Sequence, residues 1–161
     1  MYIGIDPGLD GGIVTLDGTG TILAKYITPV IKGVGTKREY NLSNMKILLQ
    51  EHPNIKMVIL EKQQVFPGQG TVSMFRIGLG YGMWQGLIVG LGLPYTLVHS
   101  KRWQKIMLAD VNKNDTKQAA ALVASRLYPG IDFRATPRCK DAHEGIVDAL
   151  LMSVYALRIF K

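Results

Sequence analysis

Cysteine is what this chain has least of, and acidic residues are scarce beside basic ones. Cys139 is its sole cysteine, so no internal disulfide framework can hold the fold, and a reducing cytosol is the expected setting. Only 12 Asp and Glu stand against 19 Lys and Arg, a formal net charge of +7. That surplus favours a polyanion as partner, the plainer alternative being a merely soluble basic protein. No secretory signal pattern is visible, because residues 1–5 run directly into a strand pattern. The sequence shows no internal repeat and no low-complexity linker. Its 161 residues suit one domain, residues 1–161, with a single core. A hydrophobic content of 47% argues against disorder. One stretch, residues 77–98, carries no charge and is long enough to imitate a membrane span. Gly92, Leu93 and Pro94 interrupt it, so a buried helix followed by a strand is expected, with no membrane association.

Hydrophobic periodicity and turn signals divide the chain into alternating elements. Residues 1–5 read as a strand, residues 8–12 as a glycine-rich turn, and residues 13–16 as a second strand. The DGTG of residues 17–20 marks a hairpin leading to a third, antiparallel strand at residues 22–27. Residues 29–38 read as a mobile basic loop. Residues 42–51 have helical spacing, with Asn41 or Ser43 as cap. A fourth strand follows at residues 57–60, a loop at residues 66–71, a long helix over residues 72–91, and a fifth strand at residues 95–98. Helices are expected over residues 100–108, over residues 116–127 behind Asp115 or Asn114, and over residues 141–159. Strands in hairpins followed by alternating helices and strands define an α/β fold, a five-stranded mixed sheet with helices on both faces.

The scarce acids are not scattered. Asp6 ends the first strand and Glu61 the fourth, while Glu144 and Asp148 stand four apart on the last helix and share a face. Carboxylates at the ends of apolar strands are costly to bury without a partner. A divalent cation is such a partner, and several carboxylates around hard cations suit phosphodiester chemistry. In that reading Asp6 bridges two metal ions, and Glu61, Glu144 and Asp148 complete their shells. The competing readings are an ion pair from Glu61 to Lys62 and a solvated helix face for Glu144. Asp141 either extends the acidic face by a turn or simply favours the helix N-terminus. His143 reads as structural or solvated, and Asp10 as serving the backbone of its own turn.

These residues resemble a known family. The IGIDPG of residues 3–8, Glu61 followed by QQVF at residues 63–66, and the D-A-L-L of the last helix are similar to the RuvC-type Holliday-junction resolvases. The resemblance covers the whole chain in order. It implies a ribonuclease H-like fold, a homodimer, and a requirement for Mg2+, with Mn2+ able to substitute, two ions per active site. It implies paired nicks in opposing strands of a four-way DNA junction, each leaving a 5′-phosphate and a 3′-hydroxyl, with no nucleotide cofactor. The phage and chloroplast subgroup is most similar. It shares a Gly-rich segment like residues 73–94, a motif like the VHSKRW of residues 98–103, and the H-x-G-x-x-D-A-L-L of residues 143–151. Many bacterial members carry the two helical carboxylates three apart. Here position 145 is Gly, and Glu144 rather than Asp141 is taken as the fourth ligand.

The resemblance also points to a catalytic lysine at Lys117, with Lys113 as its rival. Lys117 opens a helix, where an ammonium can meet a phosphate. Lys101, Arg102 and Lys105 surround Trp103 and fit contacts with a DNA backbone, Trp103 itself reading as core. Lys32, Lys37 and Arg38 read as a basic arm or as solvated loop charges. Phe66, Gln69, Phe75 and Arg76 lie where the resemblance places a junction-probing segment, Phe75 otherwise starting the core helix. Gly78, Gly82, Gly86 and Gly90 form a smooth helical stripe that needs a close neighbour, either the sheet or a second subunit. The rival functions are a broader branched-DNA or flap nuclease and a non-catalytic junction-binding protein.

Overall fold

The computed structural model describes residues 1–35, 37–64, 68–112 and 114–161. Phe66 and Lys113 lie outside the described residues. Strand β1 (Tyr2–Asp6) is central. It pairs antiparallel with β2 (Gly12–Leu16), which pairs antiparallel with β3 (Ile22–Ile27). After β4 (Val30–Lys32), β5 (Arg38–Tyr40) and helix α1 (Leu42–Gln50), strand β6 (Met57–Glu61) joins the other side of β1 in parallel. Helix α2 (Thr71–Gly90) then leads to β7 (Tyr95–Val98), parallel to β6. Helices α3 (Ser100–Met107), α4 (Thr116–Leu127) and α5 (Glu144–Phe160) complete the chain. The sheet order is β3-β2-β1-β6-β7.

Strand alternation sends side chains to two cores. Ile3, Ile5, Ile13, Val58 and Leu60 pack with Met45 and Leu49 of α1 and Trp84 and Ile88 of α2. Tyr2, Val14, Leu16, Ile59 and Val98 pack with Trp103, Ala120 and the buried face of α5. The expected mixed sheet with helices on both faces is what the chain adopts. The turn at residues 17–20 forms around Asp17, whose Oδ1 accepts from the backbone N–H groups of Thr19, Gly20 and Thr21 at 2.8–2.9 Å. Asn41 caps α1 and Asp115 caps α4, resolving both alternatives.

Two expectations need correction. Residues 29–38 are not simply a loop, because β4 and β5 form an antiparallel hairpin. Arg38 fastens it by a two-pronged ion pair to Asp10 at 2.7 and 2.9 Å. Asp10 therefore serves this pair rather than its own turn. The last helix begins at Glu144, not residue 141, because the His143 Nδ1 accepts from the Ile146 N–H at 3.3 Å and caps it. Asp141 thus lies before the helix and does not extend its acidic face.

Helix α2 stops where the breaker residues predict. Gly92 takes a left-handed φ of 65°, and the N–H groups of Leu91, Gly92 and Leu93 close back on the last turn. Among the described residues no helix is long and apolar enough to cross a membrane.

Candidate active site

Register alone brings the first two acids together. Tyr2 pairs with Met57 and Ile5 with Leu60, so one step further Asp6 lies beside Glu61. Both share the parity of Tyr2 and Ile59, the residues that face α5. Helix α5 lies directly against this part of the sheet. A side chain at Gly4 would strike the backbone of Ala149 and Ser153, one at Gly12 the carbonyl of Gly145, and one at Gly145 the backbone of Asp10 and Gly11. This glycine-on-glycine contact carries Glu144 and Asp148 to the sheet end that holds Asp6. It also gives a physical reason for Gly at position 145, where no acidic side chain fits.

The ionisation of the cluster reports how close and how dry it is. Asp148 is pushed up to about 8, by burial first and then by the charges of Asp6, Glu61 and Glu144, with Lys117 opposing. Asp6 is raised to about 6 by burial and by Glu61, against a hydrogen bond from the Gly8 N–H at 3.2 Å. Burial raises Glu61 too, and two donors oppose it: the Trp103 Nε1–H to Oε1 and the Gln63 Nε2–H to Oε2, each at 3.1 Å. Among the described residues none of Asp6, Glu61 and Asp148 makes an ion pair, and Glu61 does not reach Lys62.

Glu144 is the outlying member. Its side chain is 61% exposed and pairs with the Lys117 Nζ at 2.9 Å. That contact draws the sequence-derived lysine to the rim of the cluster. Beside it a hollow of about 310 Å³ is lined by Gln104, Thr116, Lys117, Ala120, Glu144 and Asp148, among others. Among the described residues no three His, Cys, Asp or Glu side chains are yet drawn tightly enough to ligate one ion. The four carboxylates sense one another's charge without closing on a common point. Their donor chemistry is nonetheless that of a hard-cation site: carboxylate oxygens only, with Asp6, Glu61 and Asp148 strongly desolvated and no cationic side chain among the described residues paired with these three.

The expected DNA-contacting residues fall on two surfaces. Lys101, Arg102 and Lys105 are exposed on α3, around a fully buried Trp103. Phe75 and Arg76 are exposed near the start of α2, and Gln69 is half-buried just before it. Phe75 is therefore not a core residue. It borders a groove of about 460 Å³ between α2 and the β4–β5 hairpin, lined also by Leu9, Lys37, Arg38 and Arg76. The glycine stripe faces away from the sheet, since Gly78, Gly82, Gly86 and Gly90 are exposed and a methyl group added at any of them would meet nothing within 4 Å among the described residues. The close α2 contact is made instead by Gly80, where a side chain would strike the Tyr40 hydroxyl and the Pro7 carbonyl.

Sequence reasoning missed the partners of Glu61. Gln63 stands two residues on in an extended segment, and a buried indole N–H needs an acceptor; those were the available signals.

No protein-family model and no curated protein matches the sequence. Solved structures do match the fold. T. thermophilus RuvC in complex with a Holliday junction substrate aligns with a TM-score of 0.56 at 14% identity, covering 98% of this chain and 94% of that one. A second Thermus thermophilus RuvC structure aligns with a TM-score of 0.55 at 17% identity, covering 98% and 96%. The chain shares the fold of these RuvC structures.

Proposed function

We propose that this chain is a divalent-metal-dependent endodeoxyribonuclease that resolves four-way DNA junctions by paired nicks, similar to the phage and chloroplast resolvases. The observation that carries the reading is the convergence of Asp6, Glu61 and Asp148 on one face at one sheet end, desolvated and without a basic partner. Asp6, Glu61, Glu144 and Asp148 would hold Mg2+, or Mn2+ in its place, in a two-ion arrangement with Asp6 as the shared ligand. When bound, the ions supply an activated water and charge stabilisation for phosphodiester hydrolysis. Water adds at phosphorus and the 3′ oxygen leaves, giving a 5′-phosphate and a 3′-hydroxyl. Lys117, at the rim, offers its ammonium to the scissile phosphate.

The binding surface is assigned on charge and exposure. Lys101, Arg102 and Lys105 contact the backbone of a duplex arm. Phe75 and Arg76 sit at the branch point, where an exposed ring can stack on an unpaired base. The T. thermophilus RuvC structure with a Holliday junction substrate supports branched DNA as the partner class. The open glycine stripe on α2, flanked by exposed Leu79 and Val89, supports a homodimer as the working assembly.

The test separates binding from chemistry. Asp6→Asn is expected to reduce Mg2+-dependent cleavage of a four-way junction to background while leaving junction affinity intact. Full activity in a nuclease-free preparation of that variant would overturn the metal assignment. Equal cutting of linear duplex and junction by the native protein would replace the resolvase with a general nuclease. Junction binding without nicks would leave a non-catalytic binding protein.

A further inference from the structure

We infer that Trp103 and Gln63 are positioning residues for Glu61, together fixing the plane of its carboxylate for cation binding; this rests on the metal-dependent reading above. Each oxygen of Glu61 accepts one side-chain hydrogen bond, Oε1 from the Trp103 indole and Oε2 from the Gln63 amide, both at 3.1 Å. A carboxylate held at both oxygens cannot rotate freely, and one lone pair on each oxygen stays available to a ligand. The fold delivers both donors from the end of Glu61's own neighbourhood. Gln63 follows β6 directly. Trp103 comes from the first turns of α3, which starts two residues after Val98, the β7 partner of Glu61.

The indole contact is more than a by-product of packing. Trp84, in the other core, is equally buried, at 0% exposure, yet its Nε1–H has no partner among the described residues. Burial in this protein does not by itself bring an indole N–H to an acceptor. Trp103, also at 0% exposure, is set with its N–H on the one carboxylate that ends β6. Outer-sphere donors of this kind orient metal ligands, and their loss typically weakens metal binding by about 10–100-fold.

The experiment titrates Mn2+ into the full-length native protein, Trp103→Phe, Gln63→Met and Glu61→Gln, following free Mn2+ by electron paramagnetic resonance. Trp103→Phe keeps an aromatic ring in the core while removing the donor and part of the indole's volume, and Gln63→Met, at a half-buried position, removes the other donor with little change in volume. Trp103→Phe and Gln63→Met are each expected to weaken Mn2+ binding by about 10-fold or more. Both should also slow single-turnover junction cleavage while junction affinity is unchanged, a split that general loss of packing would not give. In parallel, Trp84→Phe leaves Trp103 as the sole indole, and its emission should change on Mg2+ addition and not when Glu61→Gln is added to that background. Native Mn2+ affinity in both donor variants, or Trp103 emission indifferent to saturating Mg2+, would overturn the inference. If Trp103→Phe does not fold, Gln63→Met and the emission titration decide it. Absence of Mn2+ binding by the native protein would instead remove the metal reading itself, and this inference with it.

Discussion

Asp148 and Asp6 are held protonated to higher pH than an ordinary aspartate, about 8 and about 6, chiefly by burial and next by their acidic neighbours. The sign of the consequence is fixed by linkage. Below about pH 4 both groups are protonated in folded and unfolded chains alike, so neither penalises folding. As pH rises toward 8 the unfolded chain ionises them and the folded chain resists, so stability is lost across that window. Without divalent metal, the thermal midpoint should fall between pH 5 and pH 8, and Asp148→Asn should make the fall shallower. Mg2+ should raise the midpoint more at pH 8 than at pH 5, since it binds the ionised cluster. A midpoint flat across this range in EDTA would contradict the burial assigned to Asp148. Asp10, by contrast, is lowered by Arg38 and acts only below this window. Gly145 is the second residue-scale constraint. Gly145→Ala pushes a methyl group into the backbone of Asp10 and Gly11, and urea titration should show a loss of about 1–3 kcal/mol.

At the scale of elements, α2 presents two kinds of glycine. Gly80 is filled against Tyr40 and Pro7, whereas Gly78, Gly82, Gly86 and Gly90 look outward. A methyl group added at the exposed Gly82 would meet nothing within 4 Å among the described residues, so Gly82→Leu should fold normally at low protein concentration. If the stripe is where two copies meet, the same change should weaken self-association in sedimentation equilibrium by about 10-fold or more, the size of one well-placed interface contact. Unchanged self-association would move the dimer contact elsewhere. The five strands of the main sheet and most helix boundaries were legible because strand alternation, the DGTG turn and the caps at Asn41 and Asp115 are local signals. The convergence of Asp6 and Glu61 was legible from strand-end position. What could not be read were contacts set by packing. The β4–β5 hairpin depends on Arg38 finding Asp10 across 28 residues. Glu61 finds Trp103 across 42 residues, and the start of α5 depends on a histidine cap in place of the commoner Asp or Ser. The glycine stripe announced a close neighbour without saying that none lies among the described residues.

At the scale of the whole molecule, a net charge of +7 coexists with a concentrated acidic cluster. In the proposed function, basic side chains on α3 and near the hairpin would draw in a polyanion, and the buried acids would provide the place where its backbone is cut. Junction affinity should therefore fall steeply with salt, and Arg102→Ala should reduce the slope of log affinity against log salt by about one. Affinity independent of salt would show that charge is not what recruits the DNA. The most direct test of the central claim is to label each strand of a mobile four-way junction in turn, add Mg2+, and map the products to the nucleotide. The account predicts symmetry-related nicks in opposing strands with 5′-phosphate and 3′-hydroxyl ends, lost in EDTA and in Asp6→Asn. Cleavage that persists without divalent metal, survives Asp6→Asn, or falls equally on linear duplex would contradict it.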